Sequence, residues 1–117
     1  MHNYHELKIW QESRKLVKAI YALSSNFPKE EMYGLTSQIR RAAISIPSNI
    51  AEGTGRTSNK EFQRFLDYAI GSLFEIETQI ILANDLEFIK TEDYETIYQD
   101  IKSLIKMIVK FKGVLKV

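Results

Sequence analysis

Apolar residues recur three and four positions apart along most of this chain, and that helical period leaves no stretch that reads as a strand. The longest case is Phe62, Phe65, Leu66, Ala69, Ile70, Leu73, Ile76, Ile80 and Ala83, one broad apolar face. Ser58-Asn59-Lys60-Glu61 opens it as a capping box, the Ser58 hydroxyl accepting from the Glu61 amide and Glu61 reaching back to the Ser58 amide. A helix of about 28 residues follows, roughly 42 Å long.

Three more helices follow from the same reasoning. The first runs from about Leu7 to Ser25, with Trp10, Leu16, Val17, Ile20, Tyr21 and Leu23 at helical spacing, and the Asn26-Phe27-Pro28 turn ends it. The second starts between Glu30 and Leu35 and reaches Glu52, with Leu35, Ile39, Ala42, Ala43, Ile46 and Ile50 as its stripe and Gly53 as C-terminal cap. Pro47 lies inside that stripe, which predicts a kink, not a break, because Ile50 stays in phase. The fourth is capped by Thr91, carries Glu92, Asp93 and Glu95 in its first turn, and repeats Tyr94, Ile97, Ile101, Leu104, Ile108, Phe111 and Leu115. Four long amphipathic segments with short links predict one all-α domain over residues 1–117, an antiparallel up-down-up-down four-helix bundle.

What such a bundle can do is narrowed by what it lacks. The chain has no cysteine, so a disulfide, a thiolate metal site and a cysteine nucleophile are excluded. Its two histidines, His2 and His5, both precede the first helix. Their spacing allows shared metal binding but reads as a terminus, and di-metal carboxylate bundles need histidines on core helices. No metal, cofactor or catalytic residue is expected, and no enzyme. Nothing reads as a signal peptide or a membrane span, so the expected place is the cytoplasm, with no membrane partner.

The net charge of +1 conceals segregation. Residues 65–95 carry Asp67, Glu75, Glu77, Asp85, Glu87, Glu92, Asp93 and Glu95 against Lys90, a net of −7. Residues 102–117 carry Lys102, Lys106, Lys110, Lys112 and Lys116 and no acid, a net of +5. Residues 40–64 carry Arg40, Arg41, Arg56, Lys60 and Arg64 against Glu52 and Glu61, a net of +3. Lys102, Lys106 and Lys110 suit the dipole at a helix C-terminus and equally suit a surface that tracks phosphates. The loop from Glu52 to Ser58 puts free amides, Arg56 and Lys60 beside a helix N-terminus, where an anion could sit, although its glycine and serine also serve as caps. Neither basic segment interleaves aromatics that stack bases, so sequence-specific readout is not indicated.

Polar stripes run beside the apolar ones. Gln38, Arg41, Ser45, Asn49 and Glu52 share one face of the second helix, and Tyr68, Ser72, Glu75 and Gln79 share one face of the third. With the helices antiparallel, Arg41 falls near Glu75 or Gln79 and Glu52 near Arg64. The stripes read either as a solvated face or as a structural hydrogen-bonded seam, within the bundle or between subunits. Their short side chains favour the seam.

The stretch Leu35-Thr36-Ser37-Gln38-Ile39-Arg40-Arg41-Ala42-Ala43-Ile44-Ser45-Ile46-Pro47-Ser48-Asn49-Ile50-Ala51-Glu52-Gly53, followed by Gly55-Arg56, resembles the signature of four-helix bundle proteins encoded in intervening sequences of bacterial 23S rRNA genes. Leu7-x-Ile9-Trp10, Phe27-Pro28 and Gly71-Ser72-x-x-Glu75 are similar to the same family. That family is in turn similar to the accessory variability proteins of diversity-generating retroelements, basic pentameric barrels that bind nucleic acid and a reverse transcriptase. The resemblance implies an antiparallel four-helix protomer and a homo-oligomeric ring, a pentamer by analogy. It brings no catalytic residues.

The expected activity is non-enzymatic binding of structured RNA or DNA through phosphates, by Arg40, Arg56, Lys60, Arg64, Lys102, Lys106 and Lys110. Repetition around a ring would raise avidity without new contacts. The alternative is an oligomeric scaffold that binds a protein partner, with the acidic segment 65–95 as its recognition surface.

Overall fold

The computed structural model describes residues 3–117. Those residues form four α-helices, α1 (Lys8–Ser24), α2 (Leu35–Thr54), α3 (Asn59–Asp85) and α4 (Thr91–Gly113), with single 3-10 turns at Tyr4–Glu6 and Lys29–Glu31 and no strand. The fold is an all-α four-helix bundle. His2 lies outside the described residues.

Each helix packs against the next and α1 packs against α4, while neither diagonal pair approaches closely. The helices therefore stand around a single core in chain order. Ser45 meets Ser72 and Gly53 meets Phe62, so α2 and α3 run in opposite directions. Asn59 bonds the Lys116 carbonyl and Glu77 pairs with Lys102, so α3 and α4 do too. The core is mostly isoleucine and leucine: Ile20, Ile39, Ile46, Ile50, Leu66, Leu73, Ile76, Ile80, Ile101 and Ile108 are fully buried. Each such side chain stabilises the fold by roughly 1.5–3 kcal/mol relative to exposure.

Several local features differ from the sequence reading, each for a physical reason. The second helix does not stop at Gly53; it runs unbroken through Pro47 to Thr54, and Gly53 is buried inside it. Gly53 is there for space, not to cap. The fourth helix starts from Lys90, and Thr91 is its first residue, making no capping bond. On α1 the core face is Ile9, Ser13, Leu16, Ile20 and Ser24, so Tyr21 turns outward. Two serines fit that face because their hydroxyls donate back into their own helix, Ser13 to the Trp10 carbonyl at 2.7 Å and Ser24 to the Tyr21 carbonyl at 3.3 Å.

The ends of the bundle differ in character. Phe27 and Phe88 meet with ring centroids 5.9 Å apart, which brings the α1–α2 and α3–α4 connections to one end. That end carries Glu30, Glu31, Asp85, Glu87, Glu92, Asp93 and Glu95 against Lys29 and Lys90. The Asn59 side chain donates to the Lys116 carbonyl at 2.8 Å, which brings the α2–α3 link and the end of α4 together at the other. Charge segregated along the sequence thus becomes charge segregated along the bundle axis.

Candidate nucleic-acid interface

The seven basic residues singled out from the sequence fall into two groups. Arg40, Arg64 and Lys102 are engaged within the protein. Arg40 is half-buried between α1 and α2: its Nε donates to the Ser24 hydroxyl at 2.8 Å, its Nη2 to the Tyr21 carbonyl at 3.3 Å, and its guanidinium lies 4.6 Å from the Tyr21 ring centroid. The Tyr21 carbonyl also accepts from the Ser25 amide and the Ser24 hydroxyl, and Arg40 adds a positive charge at the negative end of α1. Arg64 pairs with Glu61 at 3.3 Å, one turn back on α3. Lys102 pairs with Glu77 at 3.6 Å and stands 5.8 Å from the Tyr98 ring centroid.

Arg56, Lys60, Lys106 and Lys110 are exposed and make no ion pair among the described residues. The Arg56 guanidinium rests 4.4 Å from the Phe65 ring centroid, which holds the side chain over α3 while leaving its N–H groups outward. Lys60 follows in the first turn of α3, where Ser58 accepts from the Glu61 amide at 3.1 Å. Lys110 lies in the last turn of α4. Lys112 is not free, because Asp67 holds it at 2.6 Å. Exposed Lys116 adds a further cation at this end. The unpaired cations thus gather where α4 finishes and α3 begins.

The polar stripes of α2 and α3 cross in one place. The Ser45 hydroxyl lies 2.5 Å from the Ser72 hydroxyl and also donates to the Ala42 carbonyl at 2.6 Å. Asn49 bonds the Ser45 carbonyl within its own helix. Gln79 is buried and donates to Glu75 at 3.3 Å, while its own amide oxygen has no partner. Gln38, Arg41, Glu52 and Glu75 are exposed, and neither Arg41–Glu75 nor Glu52–Arg64 forms an ion pair. Glu61 is one turn from Arg64 and takes that charge instead.

On the outside of α3, Phe74, Ile81 and Leu82 are exposed, with Tyr68 and Gly71 on the same side of the helix. Large apolar side chains repeated along one outer helix face are what a second packed surface needs. At the acidic end Met32, Tyr33 and Leu86 are exposed too, Tyr33 almost completely at 95%. Between α3 and α4, Tyr94 stacks on Tyr98 at 5.8 Å. Burial, then the neighbouring Tyr98, Asp85 and Glu77, push the Tyr94 hydroxyl above the usual tyrosine range. Among the described residues no cluster of histidine and carboxylate side chains could hold a metal, and no helix is long and apolar enough to cross a membrane.

The sequence reading missed one basic group, on α1. Lys8, Arg14, Lys15 and Lys18 are exposed on α1, Lys15 paired with Glu12 at 2.8 Å. Its signal is the one-turn spacing of Trp10, Arg14 and Lys18, which lies outside the charge-segregated segments 40–64, 65–95 and 102–117.

The sequence model of a family described as 23S rRNA-intervening sequence protein matches residues 5–110. A solved structure from Bacteroides thetaiotaomicron, described as a protein with unknown function from the S23 ribosomal protein family, is similar at 25% identity with a TM-score of 0.80. The similarity covers 89% of this chain and 97% of that one. No curated protein matches the chain.

Proposed function

The chain belongs to the 23S rRNA-intervening sequence protein family, and from that premise we propose that it is a non-enzymatic, ring-forming protein that holds structured RNA or DNA by its phosphates. The observation that carries the reading is the gathering of Arg56, Lys60, Lys106 and Lys110, exposed and unpaired, towards one end of a bundle whose other end is acidic. Cations left without acidic partners attract polyanions and release counterions on contact. A protomer with a net charge of +1 offers too few contacts alone, and a ring repeats them. Exposed Phe74, Ile81 and Leu82 support contact between copies, and the family resemblance supplies the expected number of five.

The test is retention of a structured RNA at low and moderate salt by protein whose mass is measured by light scattering on the same column. The reading expects an oligomer that retains RNA at low salt, releases it as salt rises, and loses it when Arg56, Lys60 and Lys110 are changed to glutamate. A monomer, or no retention at low salt, refutes it. A second reading, a ring that binds a protein, is favoured by the exposed Met32, Tyr33 and Leu86 beside the acidic connections. It becomes the better account if the oligomer forms and the RNA passes through.

A further inference from the structure

Where α1 begins, positive charge and aromatic rings meet. The Tyr4 and His5 ring centroids are 4.2 Å apart, and both rings meet Trp10 edge-on, at 5.1 Å and 5.2 Å. The Arg14 guanidinium covers the indole, its carbon 5.0 Å from the ring centroid. The Gln11 amide donates to the His5 carbonyl at 2.9 Å and ties the preceding turn to the helix. Trp10, Arg14 and Lys18 follow at one-turn spacing, so the indole, the guanidinium and the ammonium share one side of α1. The result is an open depression of about 630 Å³ lined by His5, Trp10, Gln11, Arg14, Lys15 and Lys18; Glu12 holds Lys15 at 2.8 Å, which leaves Arg14 and Lys18 as its unpaired cations.

Three features of this depression select its ligand. Its cations repel cations and favour an anion. The Arg14 guanidinium, backed by the indole beneath it, offers a flat outer face on which a bare phosphate or a carboxylate cannot stack. Bases of single-stranded nucleic acid stack on aromatic rings and on arginine planes, with phosphates held by neighbouring basic side chains. We propose that this depression is a stacking site for one unpaired nucleobase, whose phosphate is held by Lys18 and Arg14. The site adds base contact to the phosphate binding argued above. It lies on other residues, so the two are separable.

Trp10 is the only tryptophan in the chain, so its emission reports on this depression alone. The experiment titrates the whole protein with adenosine monophosphate, an adenylate oligomer, an abasic deoxyribose-phosphate strand and polyglutamate. Quenching by the adenylate oligomer is expected, with about tenfold weaker binding in Arg14→Gln at unchanged helix content. Quenching by the monophosphate as well shows that a free nucleotide suffices; quenching by the oligomer alone identifies a strand. The proposal is overturned if neither nucleotide quenches, if the abasic strand or polyglutamate quenches equally, or if Arg14→Gln binds like wild type. Absent quenching with duplex RNA still retained through Arg56, Lys60 and Lys110 overturns this site and leaves the phosphate reading standing.

Discussion

A Cβ atom on Gly53 would lie 2.7 Å from Cδ1 of Phe62, closer than real side chains approach. It would also lie 2.9 Å from Cβ of Phe65. Phe62 is 2% exposed and cannot step aside. The end of α2 therefore touches the start of α3 through a glycine. Gly53→Ala gains about 1 kcal/mol of helix propensity but meets an overpacking cost of about 1–3 kcal/mol. We predict a net loss of about 1 kcal/mol in urea denaturation. A variant as stable as wild type would show that the two helices can part at no cost.

The Phe88 amide donates to the Ala83 carbonyl at 2.9 Å and the Glu87 amide to Asn84 at 3.0 Å, with Glu87 at φ 63°. This is a Schellman stop in which glutamate occupies the left-handed position usually given to glycine. The strain costs about 1–2 kcal/mol, and a carboxylate beside the negative end of a helix adds to it. Glu87→Gly gives back some of this as unfolded-chain freedom. We predict a net stabilisation of about 0.5–1 kcal/mol, read as a higher midpoint of thermal unfolding.

The folded state binds the Tyr94 proton more tightly than the unfolded chain does. Stability from this group is therefore complete below the ordinary tyrosine pKa of about 10 and is lost as pH rises through the higher folded value. Tyr94→Phe should flatten the fall in stability above about pH 10 relative to wild type. Denaturant titrations at rising pH check this, and parallel slopes for the two proteins would contradict it.

The helices were legible because burial and period coincide: Ile39, Ala42, Ile46 and Ile50 are buried, and so are Leu66, Leu73, Ile76 and Ile80, as their spacing requires. Ser58 caps α3 by accepting from the Glu61 amide, but Glu61 does not reach back to the Ser58 amide, because its carboxylate pairs with Arg64. What the sequence concealed was role. Glycine serves both as a stop and as a gap, and Gly53 is the gap. Ser13 and Ser24 look polar yet lie in the core, because a hydroxyl that bonds its own helix costs little to bury. The Glu87 stop carries no glycine and so gave no signal. Charge counting could not tell Arg40, occupied at the end of α1, from Arg56, which rests on Phe65 and has no acidic partner.

Arg40→Ala removes both hydrogen bonds to the end of α1 and leaves the buried Ser24 hydroxyl without its donor. Bonds to a charged group contribute about 1.5–3 kcal/mol when buried, and half-burial reduces this. We predict a loss of about 1–2 kcal/mol in thermal unfolding, with RNA retention unchanged once the variant is folded. Weaker RNA retention at full stability would return Arg40 to the binding surface.

The claim that free cations at one end hold phosphates is tested most directly by the salt dependence of RNA affinity. Logarithmic affinity falls linearly with logarithmic salt, and each lost phosphate contact lowers the slope by about one. Lys60→Ala and Lys110→Ala should each lower the slope by about one relative to wild type. Lys102→Ala, which removes a cation already paired with Glu77, should leave it unchanged. Equal slopes in all four proteins, or a slope moved by Lys102 and not by Lys60 or Lys110, would contradict the account.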